Sequence, residues 1–123
     1  MANEIALACS FRAYKSSVMS SAFSRAVAEL LVTMSGNPWV AGTISVGTSA
    51  EAIPLGEVAS LGWAFFLNKD ATNFIKIRNG SGGADLLKLK AGEFAVGRLL
   101  DTAAPYAIAD TAACLLEYAI LSN

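Results

Sequence analysis

Between positions 74 and 90, two short runs of alternating polarity flank Asn79-Gly80-Ser81-Gly82-Gly83. No other feature of the chain restricts its fold as much. Asn-Gly supplies the positive φ angles that a strand reversal requires, so residues 74–78 and 86–90 read as a β-hairpin. An antiparallel register with Arg78 opposite Leu86 sets Ile77 against Leu87 and Ile75 against Leu89. Side chains alternate across a strand with a period of two. One face is then apolar, and the other carries Phe74, Lys76, Arg78, Lys88 and Lys90. Similar runs on either side extend the pattern to a β-meander over 62–98.

The remainder of the chain has the same character. Ile5, Leu7, Cys9 and Phe11 alternate with Ala6, Ala8, Ser10 and Arg12, which marks a strand over 5–15, and 16–21 has turn composition. Residues 22–34 fit two periods. Phe23, Val27, Leu30, Leu31 and Met34 fall at helical spacing, while a period of two separates small and apolar positions from Arg25, Glu29 and Thr33. The β character of the neighbouring segments and the β-branched Val32-Thr33 favour a strand. Ser35-Gly36-Asn37-Pro38 is a turn, 39–46 is extended, and Gly47-Thr48-Ser49 breaks it. Pro54 cannot donate to a ladder, so 52–56 is an edge or terminal strand.

Asn68-Lys69-Asp70-Ala71-Thr72-Asn73 is a turn of residues whose side chains bond nearby backbone. Ala91-Gly92 bends the chain into 94–100, and 102–105 is a loop. Residues 106–121 hold one strand, or two broken near Asp110, with Cys114, Leu116, Tyr118 and Ile120 on one face. Trp63 alternates with Phe65 and Leu67 and reads as core. Seven to nine short strands at this spacing predict an all-β, single-domain antiparallel β-sandwich or jelly roll spanning 1–123.

Composition says what such a domain is short of. Hydrophobic residues make up 54% even without glycine, and charged residues only 15%, against about 25% in ordinary soluble domains. Surplus apolar surface of this kind calls for a partner subunit. The net charge of −1 provides no field for nucleic acid or an anionic membrane. No apolar run reaches the roughly 18 residues of a membrane-spanning helix, and the opening Met1-Ala2-Asn3-Glu4 lacks the basic residues of a signal peptide. Synthesis and folding in a cytoplasm is the expectation. There, Cys9 and Cys114 would be free, buried thiols.

Reaction chemistry has little to work with. The chain has no histidine, which removes the commonest general base, the commonest metal ligand and every Ser-His or Cys-His pair. Asn68, Asp70 and Asn73 offer oxygens but too few carboxylates for a calcium loop. Gly80-Ser81-Gly82-Gly83 lacks the Lys-Ser/Thr and the helix of a phosphate cradle. No enzyme and no cofactor is expected. The basic stripe is the one feature under tension, because like charges across strands repel. It is either a solvated face relieved by nearby acids or a contact for an acidic protein partner. Lys76, Arg78, Lys88 and Lys90, together with Trp39 beside Pro38, are the candidate interface residues.

Five segments resemble a group of small β-rich virion proteins of tailed bacteriophages. They are Gly47-Thr48-Ser49-Ala50-Glu51-Ala52, Gly62-Trp63-Ala64-Phe65-Phe66-Leu67-Asn68-Lys69-Asp70-Ala71-Thr72-Asn73-Phe74-Ile75, Leu89-Lys90-Ala91-Gly92-Glu93-Phe94-Ala95, Ala109-Asp110-Thr111-Ala112 and Leu116-Glu117-Tyr118. The likeness runs from about Ser35 onward. Members of the group often carry Pro where this chain has Leu61 and Ala91. The resemblance implies a component of the virion, made in the host cytoplasm, whose partners are sister copies, as in a trimer, and the major capsid or tail protein. A capsid decoration or cement subunit is the leading expectation. A tail or neck component, or a carbohydrate-binding module using Trp39, Trp63 or Tyr106, is the alternative.

Overall fold

The computed structural model describes residues 3–13 and 23–123. The turn expected at 16–21 lies outside the described residues. Among them there are ten strands and no helix, so the all-β expectation holds with one strand more than its upper bound. The chain divides into two compact units, Met1–Met34 and Ser35–Asn123.

The first unit is a hairpin of β1 (Ile5–Ala13) and β2 (Phe23–Val32), paired antiparallel. Residues 23–32 are therefore strand, and the period of two decides over the helical spacing. Two bonds close the open end of the hairpin. Thr33 Oγ1 accepts from the Asn3 amide at 3.1 Å, and the Glu4 carboxylate accepts from the Met34 amide at 3.1 Å.

The second unit contains β3 (Trp39–Val46), β4 (Glu51–Ala52), β5 (Leu61–Asn68), β6 (Ile75–Asn79), β7 (Asp85–Leu89), β8 (Phe94–Arg98), β9 (Pro105–Ala109) and β10 (Cys114–Ser122). They form two antiparallel sheets, ordered β3-β10-β5-β8 and β4-β9-β6-β7. Apart from the hairpin β6–β7, every consecutive pair of strands changes sheet. Pairing is nested about that hairpin, with β5 beside β8, β4 beside β9 and β3 beside β10. This is the jelly-roll arrangement.

The meander expected over 62–98 is thus not formed. β5 pairs with β8 and leaves β6–β7 to the opposite sheet. The cause is local to the turn after β5. Asn68 is fully buried, and its side-chain amide donates to the carbonyls of Asn73 (2.8 Å) and Leu89 (2.9 Å) while its Oδ1 accepts from the Asp70 amide (2.9 Å). These bonds carry the chain across to the second sheet instead of reversing it in place. The return after β7 is held by the same residue, whose backbone carbonyl accepts from the Gly92 amide at 3.0 Å.

Inward residues of both sheets form one hydrophobic cluster, with Ile75, Ile77, Leu89 and Ala107 from one sheet and Phe66, Leu116, Tyr118 and Ile120 from the other. The Cys114-Leu116-Tyr118-Ile120 face is core as expected. Cys114 is buried there, whereas Cys9, expected to be buried, is exposed on β1. Trp63, Phe65 and Leu67 are not core either. β5 turns Ala64 and Phe66 inward, and the other three lie half-buried on its outer side. With apolar side chains on both faces of β5, the period of two offered no sign of which set faces in. Gly62 shares the inward side of β5 with Ala64 and Phe66. A Cβ on it would lie 2.7 Å from the Ser122 carbonyl oxygen, so this position admits only glycine against β10.

Candidate functional site

The β6–β7 hairpin pairs Ile75 with Leu89, Lys76 with Lys88 and Ile77 with Leu87, as its alternation requires, and then slips. Arg78 faces Asp85 instead of Leu86, and Leu86 is left as the extra residue of a bulge, open to solvent. The turn enforces this. Gly80 has φ +84°, and Gly83 packs so closely under the Asn79 carbonyl that a Cβ there would sit 1.5 Å from its oxygen. The reversal is longer than a two-residue loop, and the bulge absorbs the difference in register.

Its consequence is electrostatic. Asp85 receives Arg78 Nε at 2.8 Å and Arg78 Nη2 at 2.6 Å, while Lys76 Nζ stands 3.3 Å from its other oxygen. The bonds from Arg78 hold the Asp85 carboxyl below the usual carboxylate range against the opposing effect of desolvation, with a lesser contribution from Lys76. Lys88 Nζ lies 4.2 Å from the centre of the Phe74 ring, with Lys76 on the same ring at 5.8 Å. Cation–π contact of this kind is worth about 0.5–1 kcal/mol at an exposed site. The repulsion between Lys76 and Lys88 is therefore offset within the hairpin itself. Lys90 is exposed, and its backbone amide donates to Glu93 Oε1 at 2.8 Å.

Four of the five candidate interface residues thus share one outer face of the β4-β9-β6-β7 sheet. Trp39 stands apart, at the start of β3 on the edge of the other sheet and 65% exposed. It borders an open groove of about 470 Å³ with Asn37, Pro38, Val40, Gly56 and Glu57. Asp70, weighed above as a calcium ligand, instead closes its own turn. Its Oδ2 accepts from the amides of Asn73 (2.6 Å) and Thr72 (2.9 Å), and these bonds lower its pKa. Among the described residues no group of His, Cys, Asp or Glu is placed to hold a metal ion.

A second surface emerges only from the structure. On the outer side of the β3-β10-β5-β8 sheet, Phe65 lies between Ala119 and Val96, and Leu67 lies between Glu117 and Phe94. Trp39, Leu115 and Leu121 continue the patch on β3 and β10. The rings of Phe65 and Phe94 stack at 6.3 Å, and the Arg98 guanidinium lies 5.7 Å from the Trp63 ring. The Trp63 Nε1 proton is buried without a hydrogen-bond partner among the described residues. A sheet face this apolar is ordinarily covered. The residues of 62–67 held the one available signal, since a strand apolar on both sides asks for cover on both sides.

No family model, no curated protein and no solved structure matches this chain.

Proposed function

We propose that this chain is a structural protein of a bacteriophage virion, an oligomeric decoration subunit that reinforces the capsid shell by protein–protein contacts. The observation that carries the reading is the jelly roll with one outer sheet face left apolar, an architecture frequent in capsid and lectin domains. The resemblance adds to it. Asn68, Asn73, Leu89, Gly92 and Glu93 lie in the segments similar to the phage group, and all five join the hydrogen-bond node that moves the chain between sheets. What the likeness supports is a shared scaffold, while the docking surfaces are this chain's own. Adhesion by many copies, each with modest contacts, gains strength through multivalency. In this reading the apolar sheet face meets sister copies. Lys88 and Lys90 meet an acidic shell surface.

The decisive experiment adds purified chain to shells of the parent particle and images them by cryo-electron microscopy. Saturable co-sedimentation with density on the shell is expected, and Lys88→Glu with Lys90→Glu should weaken it. Six- or twelve-fold rings at the portal would move the protein to the neck or tail. Absence from the particle would overturn the proposal.

A carbohydrate-binding module is the second reading, and the groove beside Trp39 favours it. An exposed indole next to the polar groups of Asn37 and Glu57 is a surface on which a sugar ring stacks. Glycan-array binding lost in Trp39→Ala would select it.

A further inference from the structure

The hairpin β1–β2 gathers most of its large apolar side chains on one face. Ile5, Leu7, Leu30 and Val32 share one face near its open end. Beyond a bulge in β2 between Leu30 and Val27, the unbroken alternation of β1 keeps Cys9 and Phe11 on that same face, with Val27 and Phe23 on β2 beside them. There Phe11 and Phe23 meet edge to face at 5.8 Å, and the Arg25 guanidinium lies 5.6 Å from the Phe23 ring. A two-stranded hairpin by itself is marginal in water. Yet Phe23 and Val27 are each 51% exposed.

The outer face of the β3-β10-β5-β8 sheet is open in the same way, with Phe94 65% and Leu115 50% exposed. Neither surface is covered by the strands of its own unit. The two surfaces match in size and in charge. The hairpin strands have nine and ten residues and those of β3 and β10 have eight and nine, each about 30 Å long. Arg25 sits within the Phe11–Phe23–Val27 face, and Glu117 sits within the sheet face between Thr43 and Leu67. Neither has an ionic partner among the described residues.

We propose that the β1–β2 hairpin of one copy lies on the outer face of the β3-β10-β5-β8 sheet of a second copy, with Phe11 and Phe23 inward and Arg25 meeting Glu117. This deepens the oligomer of the proposed function and rests on that part of it alone. The contact joins two different surfaces, so it is made twice in a dimer or head to tail around a closed ring.

Cys9 provides a native probe, being exposed on the hairpin face assigned to the contact. The full-length Ala119→Cys variant, carrying its new thiol beside Phe65, is oxidised at micromolar concentration and resolved without reductant. A disulfide between Cys9 and position 119 is expected in species of twice the chain mass or more, and Cys9→Ser should abolish it. In sedimentation equilibrium, Arg25→Glu and Glu117→Arg should each weaken association at least about tenfold. The two together should restore it, with unchanged far-ultraviolet circular dichroism throughout. A disulfide within one chain mass, an oligomer without the disulfide, or a monomer would each overturn the exchange. Particles play no part in this test. A chain that cross-links but ignores shells sinks the decoration reading alone, and one that coats shells without the cross-link sinks the exchange alone.

Discussion

Asn68 does more than any other polar residue to determine the path of the chain. It is completely buried and uses its amide and carbonyl on three backbone groups, two of them acceptors that would otherwise be stranded. Leaving buried polar groups unpaired costs about 1–3 kcal/mol each. Asn68→Ala should therefore lower stability by about 2–3 kcal/mol, and move the urea midpoint by about 1 M or more. A midpoint shifted by less than a few tenths of a molar would deny the side chain this role. The sequence placed the residue in the turn, whereas in the structure β5 ends on Asn68 itself. That the turn changes sheets was not legible, because a cluster of Asn, Asp and Thr looks the same whether the chain reverses or crosses.

Among the elements, the β6–β7 hairpin was the most legible and also shows where legibility stops. Ile75, Ile77 and Leu89 form its inner face as alternation demands, since polar neighbours leave one choice of face. The bulge at Leu86 was hidden, because Leu86 and Leu87 are identical and no pattern distinguishes which one is skipped. β5 was misread for a related reason, being apolar on both sides. The hidden slip brings Asp85 to Arg78, and it gives the hairpin a pH dependence. Asp85 and Asp70 both have folded-state pKa values below the ordinary carboxylate value, which is about 3.9 in an unfolded chain. A depressed carboxylate stabilises the fold above that value and loses its contribution as the pH falls through the folded pKa. The melting temperature should hold between about pH 5 and 7 and fall below about pH 4. In the Asp70→Asn, Asp85→Asn double variant the fall should be shallower, and equal slopes would refute the assignment.

At the scale of the whole molecule, each unit has an apolar sheet surface that its own strands leave uncovered. Composition had announced this surplus, though only the strand pairings reveal that it lies on β5, β8 and β10 and on the N-terminal hairpin. A folded form that gains partners is stabilised by mass action, by about 2.7 kcal/mol for each hundredfold excess over the dissociation constant. A hundredfold increase in protein concentration should therefore raise the melting temperature by roughly 5 °C or more. Calorimetry showing a temperature independent of concentration would mean the chain carries its apolar faces alone.

The nested pairing also bears on how the chain leaves the ribosome. β10 fills the place between β3 and β5, and its Cys114 pairs with Val46, about 70 positions earlier. At roughly 5–20 residues per second, β3 emerges several seconds before its neighbour exists. During that interval both edges that β10 will join are unpaired, and each would accept a strand from any nascent chain beside it. A chain of this topology, translated by ribosomes working close together on one message, passes through its most adhesive state before β10 is made.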